Sequence, residues 1–554
     1  MTTPGTAGGR WRSATLAVLC TTLLLISIDN TILNVALPSI VRDLGASSSQ
    51  LQWIVDAYSV VFAGLLLSLG ALGDRIGRKW MFMAGLVMFA TGSALSAWSG
   101  SPDRLIVFRA LMGVGAAAIM PSTLSILINV YTAERDRARA IGIWSGMAGL
   151  GVAVGPMLGG WLLVHYWWGS VFLVNLPIAA IGLLASIWLV PNSRNPAPRR
   201  PDVVGAIPSM FGLGLLLWGI IEAPSLTWTS PSVLGALIGA SAVIAAFVLW
   251  ERRSDHPMLP LQFFRSRRFS GAIAALALVL FALLGMFFLV TQYLQFSLGL
   301  SPLQTGIRVG PIALLLLIAA PMSIVLARRF GTKPVVAAGM LCIAIGLGLL
   351  SRTGAASHYT DLLPSFILIG IGAGLAMAPS TESVMGSVPI EQAGVGSATS
   401  DTSLQVGGAL GVGVLGTLLN LRYQGQLGPL LAGHSIPASA SALITGSLGG
   451  ALAVADHVGG ATGTALAAAA RHAFISGMDL GLLVAALIVA AAGAVVLAVL
   501  PNRAPLTAPD PGLGTGPAPS PAPAIAATPA PPVNSVQPVG STRQSGHSPT
   551  RSSR

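Results

Sequence analysis

Apolar runs of about twenty residues, separated by short polar joints, fill most of this chain. They fall at about 14–37, 51–72, 80–98, 104–128, 140–163, 169–190, 203–222, 232–250, 269–290, 306–327, 334–350, 362–385, 395–420 and 474–499. Each reads as a helix suited to crossing the roughly 30 Å hydrocarbon core of a bilayer. The pattern therefore predicts an all-α polytopic membrane protein with fourteen transmembrane helices. Its joints divide it into an N-terminal segment (1–13), a six-helix group (14–190), two additional spans (203–250) and a second six-helix group (269–500). Within that second group, the segment 421–473 reads as an external loop. Its two helix-like runs, 438–455 and 462–474, predict an amphipathic hairpin over one face. The segment 501–554 holds thirteen prolines and one acid, a composition expected to stay disordered.

The most informative joint is Gly70-Ala71-Leu72-Gly73-Asp74-Arg75-Ile76-Gly77-Arg78-Lys79. Gly70 and Gly77 let two helix ends approach closely, while Asp74 can pair with a neighbouring arginine. Arg75, Arg78 and Lys79 place the loop on the cytoplasmic side. Orienting charge alone would explain the basic residues but not the Gly/Asp spacing.

Composition removes several function classes. With 53% hydrophobic and 9% charged residues over 554 positions, and a mean hydropathy of +0.78, the chain is too apolar for a soluble protein of its size. A net charge of +12 would suit nucleic acid if it formed one patch, but the basic residues are dispersed among short joints. Orientation explains them better. Of thirty lysines and arginines, twenty-three fall on one set of alternate joints and in the two terminal segments. Six (Arg42, Arg104, Arg308, Arg352, Arg422, Arg471) fall on the other set, and Arg109 lies within a span. Both termini are thus expected in the cytoplasm and the first span, too long for a signal-peptide core, is expected to be retained. Cys20 and Cys342 lie in apolar runs and imply no disulfide framework. Neither lysine lies in a GxxxxGK[ST] phosphate loop, and no His-x-x-x-His pair occupies a span. No metal, no cofactor, no ATP hydrolysis and no enzymatic role are expected.

Charges inside spans need partners and are functional by default. Arg109 opens Arg109-Ala110-Leu111-Met112-Gly113-Val114-Gly115-Ala116-Ala117, and its candidate partners are Asp29 in the first span and Asp56 in the second. All three lie about five to nine residues from the outer ends of their runs. A static ion pair fixing helix packing is the simpler alternative. Intramembrane carboxylates are groups that can exchange a proton: desolvation favours the neutral form of such a group, and a nearby guanidinium the charged form. Asp29, Asp56, Asp401 and, near one helix end, Glu222 are the candidates. A further series, Gly146 to Gly160, places Gly151, Gly155, Pro156, Gly159 and Gly160 in the fifth span. Glycines four apart make a groove for another helix and Pro156 breaks one backbone hydrogen bond, which suits a hinge or a tight seal. Close packing without motion is the alternative.

The loop Gly70–Lys79, the stretch Arg109–Ala117 and the series Gly151–Gly160 resemble, in order and spacing, three motifs of the major facilitator superfamily. Asp29-Asn30-Thr31-Ile32-Leu33-Asn34-Val35-Ala36-Leu37-Pro38 is similar to the first-span signature of its fourteen-span drug/proton antiporters, the EmrB/QacA type. Further matches are Trp53 to Tyr58, Trp168 to Pro177, and Gly394 to Ser397 leading to Gln405-Val406-Gly407-Gly408. Asp56 and the long loop before the last span are most similar to exporters of quaternary ammonium compounds and dyes. Three positions depart from the pattern: Met112 replaces a usual glutamine, Leu404 a common basic residue, and Asp401 a frequent amide.

The resemblance implies the major facilitator fold, with two six-helix bundles plus two inserted spans, in the cell membrane and as a monomer. It implies proton-coupled multidrug efflux of hydrophobic organic cations by alternating access. Asp29, Asp56 and Asp401 would divide the proton and cation roles, with Arg109 tuning Asp29 or Asp56. Asp74 and Arg75 would latch the cytoplasmic side, and Gly155-Pro156 would seal the closed outer side. The alternatives are a dedicated exporter of one antibiotic or secondary metabolite and, in another class, a membrane scaffold or enzyme.

Overall fold

The computed structural model describes residues 4–194, 202–254, 257, 259–389, 392–432 and 437–501. Its helices, in chain order, are α1 (Pro4–Leu44), α2 (Ser48–Ile76), α3 (Arg78–Ala97), α4 (Pro102–Val130), α5 (Glu134–His165), α6 (Ser170–Leu173), α7 (Asn175–Leu189), α8 (Val203–Leu226) and α9 (Pro231–Arg253). After α9 come α10 (Arg267–Gln292), α11 (Pro302–Phe330), α12 (Thr332–Leu350), α13 (Tyr359–Met385), α14 (Ala393–Ala432), α15 (Ala438–Gly446), α16 (Leu448–Val458) and α17 (Gly460–Val499). Among the described residues, fourteen helical segments are long and apolar enough to cross a membrane, with α6 and α7 forming one of them. The Pro-rich tail expected to be disordered lies outside the described residues, apart from Pro501.

The outward surface fits a bilayer. Trp98, Trp161, Trp167 and Trp228 are exposed near the helix ends of one face, and Trp80, Trp188 and Trp250 near those of the other, with aliphatic side chains such as Val107, Ile238 and Val325 exposed between. Tryptophans at both rims are the aromatic belts of a membrane protein. The face that carries Gly77 is called here the basic face, and the opposite one, carrying α15 and α16, the hairpin face.

Six spans, α1 to α7, pack with one another, and α10 to α14 with α17 repeat their pattern. The pairs α1–α5, α2–α4, α3–α4, α3–α7 and α1–α7 correspond to α10–α14, α11–α13, α12–α13, α12–α17 and α10–α17. Local chemistry repeats too. Gly45 (φ 65°) and Gly299 (φ 67°) precede Ser47 and Ser301, which form capping boxes with Gln50 and Gln304, and Gly77 (φ 125°) and Gly331 (φ 98°) end α2 and α11. Each pair is 254 residues apart. The same offset relates Gly85 of α3 to Gly339 of α12, where a Cβ would meet the Gly115 and Gly372 carbonyl oxygens at 2.9 and 2.6 Å. These crossings admit no side chain at the glycine. The inserted pair packs as a hairpin, and α8 lies against both α2 and α14.

Two boundaries differ from the pattern reading. Instead of stopping near Leu37, α1 continues to Leu44, through Pro38 and the charged Arg42 and Asp43. About half of the loop expected over 421–473 is a continuation of spans: α14 runs to Ala432, and α17 begins at Gly460 and absorbs the 462–474 run. The 438–455 run breaks at Ser447, whose extended backbone (φ −165°, ψ 156°) and side chain, accepting from Gly450 N at 3.1 Å, cap α16. Glycines on both sides of this serine weaken helix continuation, and the N-cap ends it.

Candidate functional site

Arg109 of α4 is about 1% exposed and lies inside the first group of helices. Its guanidinium donates to Asp29 Oδ2 of α1 at 2.7 Å and, through Nε, to the Ile54 carbonyl of α2 at 3.1 Å. Its charge also lies 4.5 Å from the centre of the Tyr58 ring. The other Asp29 oxygen accepts from Asn175 Nδ2 at 2.9 Å, and the same amide nitrogen donates to Ser93 Oγ at 3.0 Å. Ser93 passes the chain on to the Phe172 carbonyl at 2.8 Å. Both carboxylate oxygens are thus occupied, one by a cation, which is the condition under which a buried charge is tolerated. Met112 places its sulfur 3.7 Å from Arg109 Nη1, a weak acceptor beside the guanidinium.

The partner of Arg109 is Asp29 and not Asp56, and helix geometry explains why. On α2, Ile54 and Tyr58 are four residues apart and face α4, while Gln52 and Asp56 form a second four-residue pair on another side. A Cβ at Gly413 of α14 would lie 3.6 Å from Asp56 Oδ2 and 2.8 Å from Leu217 of α8, and one at Gly416 would lie 2.6 Å from Gln52 Cδ. Thr417 Oγ1 donates to the Ile220 carbonyl of α8 at 2.9 Å. Asp56 therefore lies in a seam between α2, α8 and α14, fully buried, with neither carboxylate oxygen hydrogen-bonded. The Gln52 amide is also buried without a partner.

The other candidates are scattered. Asp401 is half-buried, nearer the basic face on α14, and Glu222 is half-buried near the hairpin end of α8. Neither joins the Arg109 cluster. Asp74 pairs with Arg78 at 2.7 Å, the neighbouring arginine it takes up, while Arg75 is exposed. The reason is local: Gly77 reverses the chain at φ 125°, and Arg78, in the first turn of α3, folds back over Asp74 and reaches the Ser125 carbonyl at 3.3 Å. Lys79 donates to the Ile187 carbonyl at 2.7 Å. Gly70 packs against Pro121 of α4. The loop thus ties α2, α3, α4 and α7 to one another.

The glycine series of α5 has two working sides. Gly151, Gly155 and Gly159 lie against Ser27, Thr31 and Ile32 of α1. Pro156 and Gly160 face α11 of the other bundle: a Cβ at Gly160 would lie 2.5 Å from the Pro302 carbonyl oxygen, and Gly306 abuts the Pro156 carbonyl. Gln295, just after α10, donates to the Val35 carbonyl of α1 at 2.9 Å. These contacts and the α2–α14 seam join the two bundles in the half nearer the hairpin face.

Asn175, Ser93, Gln52, Gly413 and Gly416 were not singled out by pattern reading. Asn175 stood inside a recognised stretch, where an amide within an apolar run was the available signal. Nothing local marks Ser93, because its role follows from the neighbour it meets.

The profile of a family described as Major Facilitator Superfamily matches residues 19–412. The multidrug efflux pump LfrA of Mycolicibacterium smegmatis is 37% identical over 485 residues, covering 87% of this chain and 95% of that protein. The tetracenomycin C resistance and export protein of Streptomyces glaucescens is 34% identical, covering 89% of this chain and 92% of that protein. Among solved structures, a bacterial homolog of the human lysosomal transporter Spinster, inward-facing and unoccupied, superposes with a TM-score of 0.62 at 18% identity, covering 88% of this chain and 98% of that one.

Proposed function

The chain belongs to the major facilitator superfamily, and from that premise we propose that it is a proton-coupled drug efflux transporter for hydrophobic organic cations. Long relatives that export drugs support the efflux reading. The observation that carries proton coupling is Asp56, a buried carboxyl with no protein partner, set between helices of the two bundles. Protonated, it is neutral; deprotonated, it is an anion whose natural counter-charge is a cationic ligand. Asp29 has both oxygens engaged by Arg109 and Asn175 and serves as the fixed, structural member of the set.

In this reading the basic face and both termini are cytoplasmic, and the chain acts as a monomer in the cell membrane, driven by the proton gradient without metal, cofactor or chemical catalysis. A cation enters between the bundles from the cytoplasm or inner leaflet, beside Asp56 and Asp401. Parting α2 from α14 and α5 from α11 then uncovers Asp56 toward the hairpin face. There a proton adds to its carboxylate, the attraction for the cation is lost, and the ligand leaves. A dedicated exporter of one metabolite is the second reading, favoured by the similarity to the tetracenomycin C protein.

Purified protein in liposomes, with an imposed pH gradient and with ethidium and lumenal pH followed together, tests the proposal. Gradient-driven ethidium movement with reciprocal proton flux is expected, and Asp56→Asn should uncouple the two. Absence of both fluxes for a panel of cationic dyes, in folded protein, would overturn cation/proton exchange and leave the dedicated exporter.

A further inference from the structure

A cavity of about 550 Å³ opens at the hairpin end of α2, α4 and α8 and is lined by Ser47, Ser49, Gln50, Trp53, Asp103, Ile106, Trp218 and Glu222. It is an open groove and not an enclosed chamber. Its lining combines two indole rings, one aliphatic side chain, two carboxyl groups and no basic residue. On a chain with thirty lysines and arginines against eighteen acids, a purely acidic cavity is a local reversal of charge.

The two acids have different local explanations. Asp103 occupies the first turn of α4, where a carboxylate complements the positive helix end, and one of its oxygens accepts from Gln50 Nε2 at 2.8 Å. Glu222 has no such reason. It lies near the C-terminal end of α8, beside the negative end of the helix, where the neutral side chains Ser49 and Trp53 hydrogen-bond to it without supplying a counter-charge. Among the described residues no salt bridge reaches it. A carboxylate placed against its own helix dipole, sharing its groove with two tryptophans and with no salt bridge among the described residues, is complementary to a positive charge with an apolar surface. Indole faces attract such a cation directly, and a partly desolvated aromatic site strengthens that attraction.

We propose that this cavity is a binding site for aromatic or lipophilic organic cations, separate from the Asp56 seam and built by the inserted helix α8 against the first bundle. Its place on the release side of the membrane rests on the function proposed above; the binding chemistry does not. α8 packs on α2 and α14 along the seam, and a ligand here would lie next to Trp53, the neighbour in sequence of the seam residue Gln52. The site would hold a cation leaving the seam or one returning from outside.

Tetraphenylphosphonium binding to the purified full chain, measured calorimetrically without a pH gradient, tests the site, with Glu222→Gln, Asp103→Asn and Trp218→Leu compared with wild type. Retained melting temperature establishes folding. If the cavity is the site, Glu222→Gln and Trp218→Leu each weaken one class of binding roughly tenfold, Asp103→Asn weakens it less, and Asp56→Asn leaves that class in place. Asp103 is exposed, so its variant keeps the test open if either of the other two fails to fold. Unchanged affinity in the folded variants overturns the site. Ethidium flux, run in parallel, separates the outcomes: binding lost with transport intact, or transport absent with binding intact, distinguishes this inference from the proposed function.

Discussion

Asp29 and Asp56 are both buried aspartates of the first bundle, yet their surroundings make opposite demands. Removing the charge of Asp29 leaves the Arg109 guanidinium buried without its counter-ion, a defect that costs about 3–5 kcal/mol. Removing the charge of Asp56 orphans no cation. Thermal melting of purified protein should therefore show a large loss for Asp29→Asn and a change within about 1 kcal/mol for Asp56→Asn, the ordinary range for a site with no broken partnership. Equal losses would mean that the Asp29–Arg109 pair does not carry the structural load assigned to it. Met112 follows the same logic: a thioether replaces a polar amide where the only local need is a soft acceptor near Arg109 and Ser96.

At the scale of elements, α5 touches both bundles through glycine, as α14 does from the other side of the seam. Its contact with α1 lies within one bundle, whereas Gly160 and Pro156 press on the start of α11 in the other. Backbone lies on the far side of Gly160 and Gly306, so an added methyl group finds no flexible neighbour to displace. Gly160→Ala and Gly306→Ala should each disfavour this closed contact by about 1–3 kcal/mol and shift the molecule toward the arrangement open on the hairpin face. Spin labels at His165 and Ser301, which end α5 and precede α11, should report a longer distance in both variants. An unchanged distance distribution would remove α5–α11 from the gate.

For the whole molecule, α15 and α16 are a strap across the two bundles. Ser48 at the start of α2 donates to the Gly446 carbonyl at 2.9 Å, and Gly449 abuts Val41 of α1, while Tyr423 of α14 donates to the Ile444 carbonyl at 2.9 Å. Opening toward the hairpin face must break the Ser48–Gly446 contact or carry the strap with one bundle. A disulfide formed between Ser48→Cys and Gly446→Cys should abolish transport until it is reduced. Cys20 is buried and Cys342 half-buried, so neither is well placed to compete for the new thiols. Full transport by the oxidised pair would mean that the strap moves with the first bundle.

The spans were legible because their signal is local: about twenty apolar residues need no partner elsewhere to declare a helix in a bilayer. The motif loops were legible for the same reason, and Gly45, Ser47, Gln50 and Gly77 repeat at Gly299, Ser301, Gln304 and Gly331 in a form that sequence alone carries. Helix ends beyond the hydrocarbon were less legible: the polar extensions of α1 and α14 have no hydropathy signature, and nothing in the Ala-rich 462–474 run says that it is continuous with the last span. The identity of each charged partnership was not legible at all. Whether Arg109 meets Asp29 or Asp56 depends on the angle at which α2 presents Ile54 and Tyr58 to α4, and Gln52 and Asp56 to α14. That angle is set by glycine contacts between helices distant in sequence. Composition and periodicity thus determined a fourteen-span membrane protein with a small set of intramembrane charges. Only tertiary packing decided which charge is satisfied and which is left free, because a side chain's partner is chosen by neighbours that its own segment does not encode.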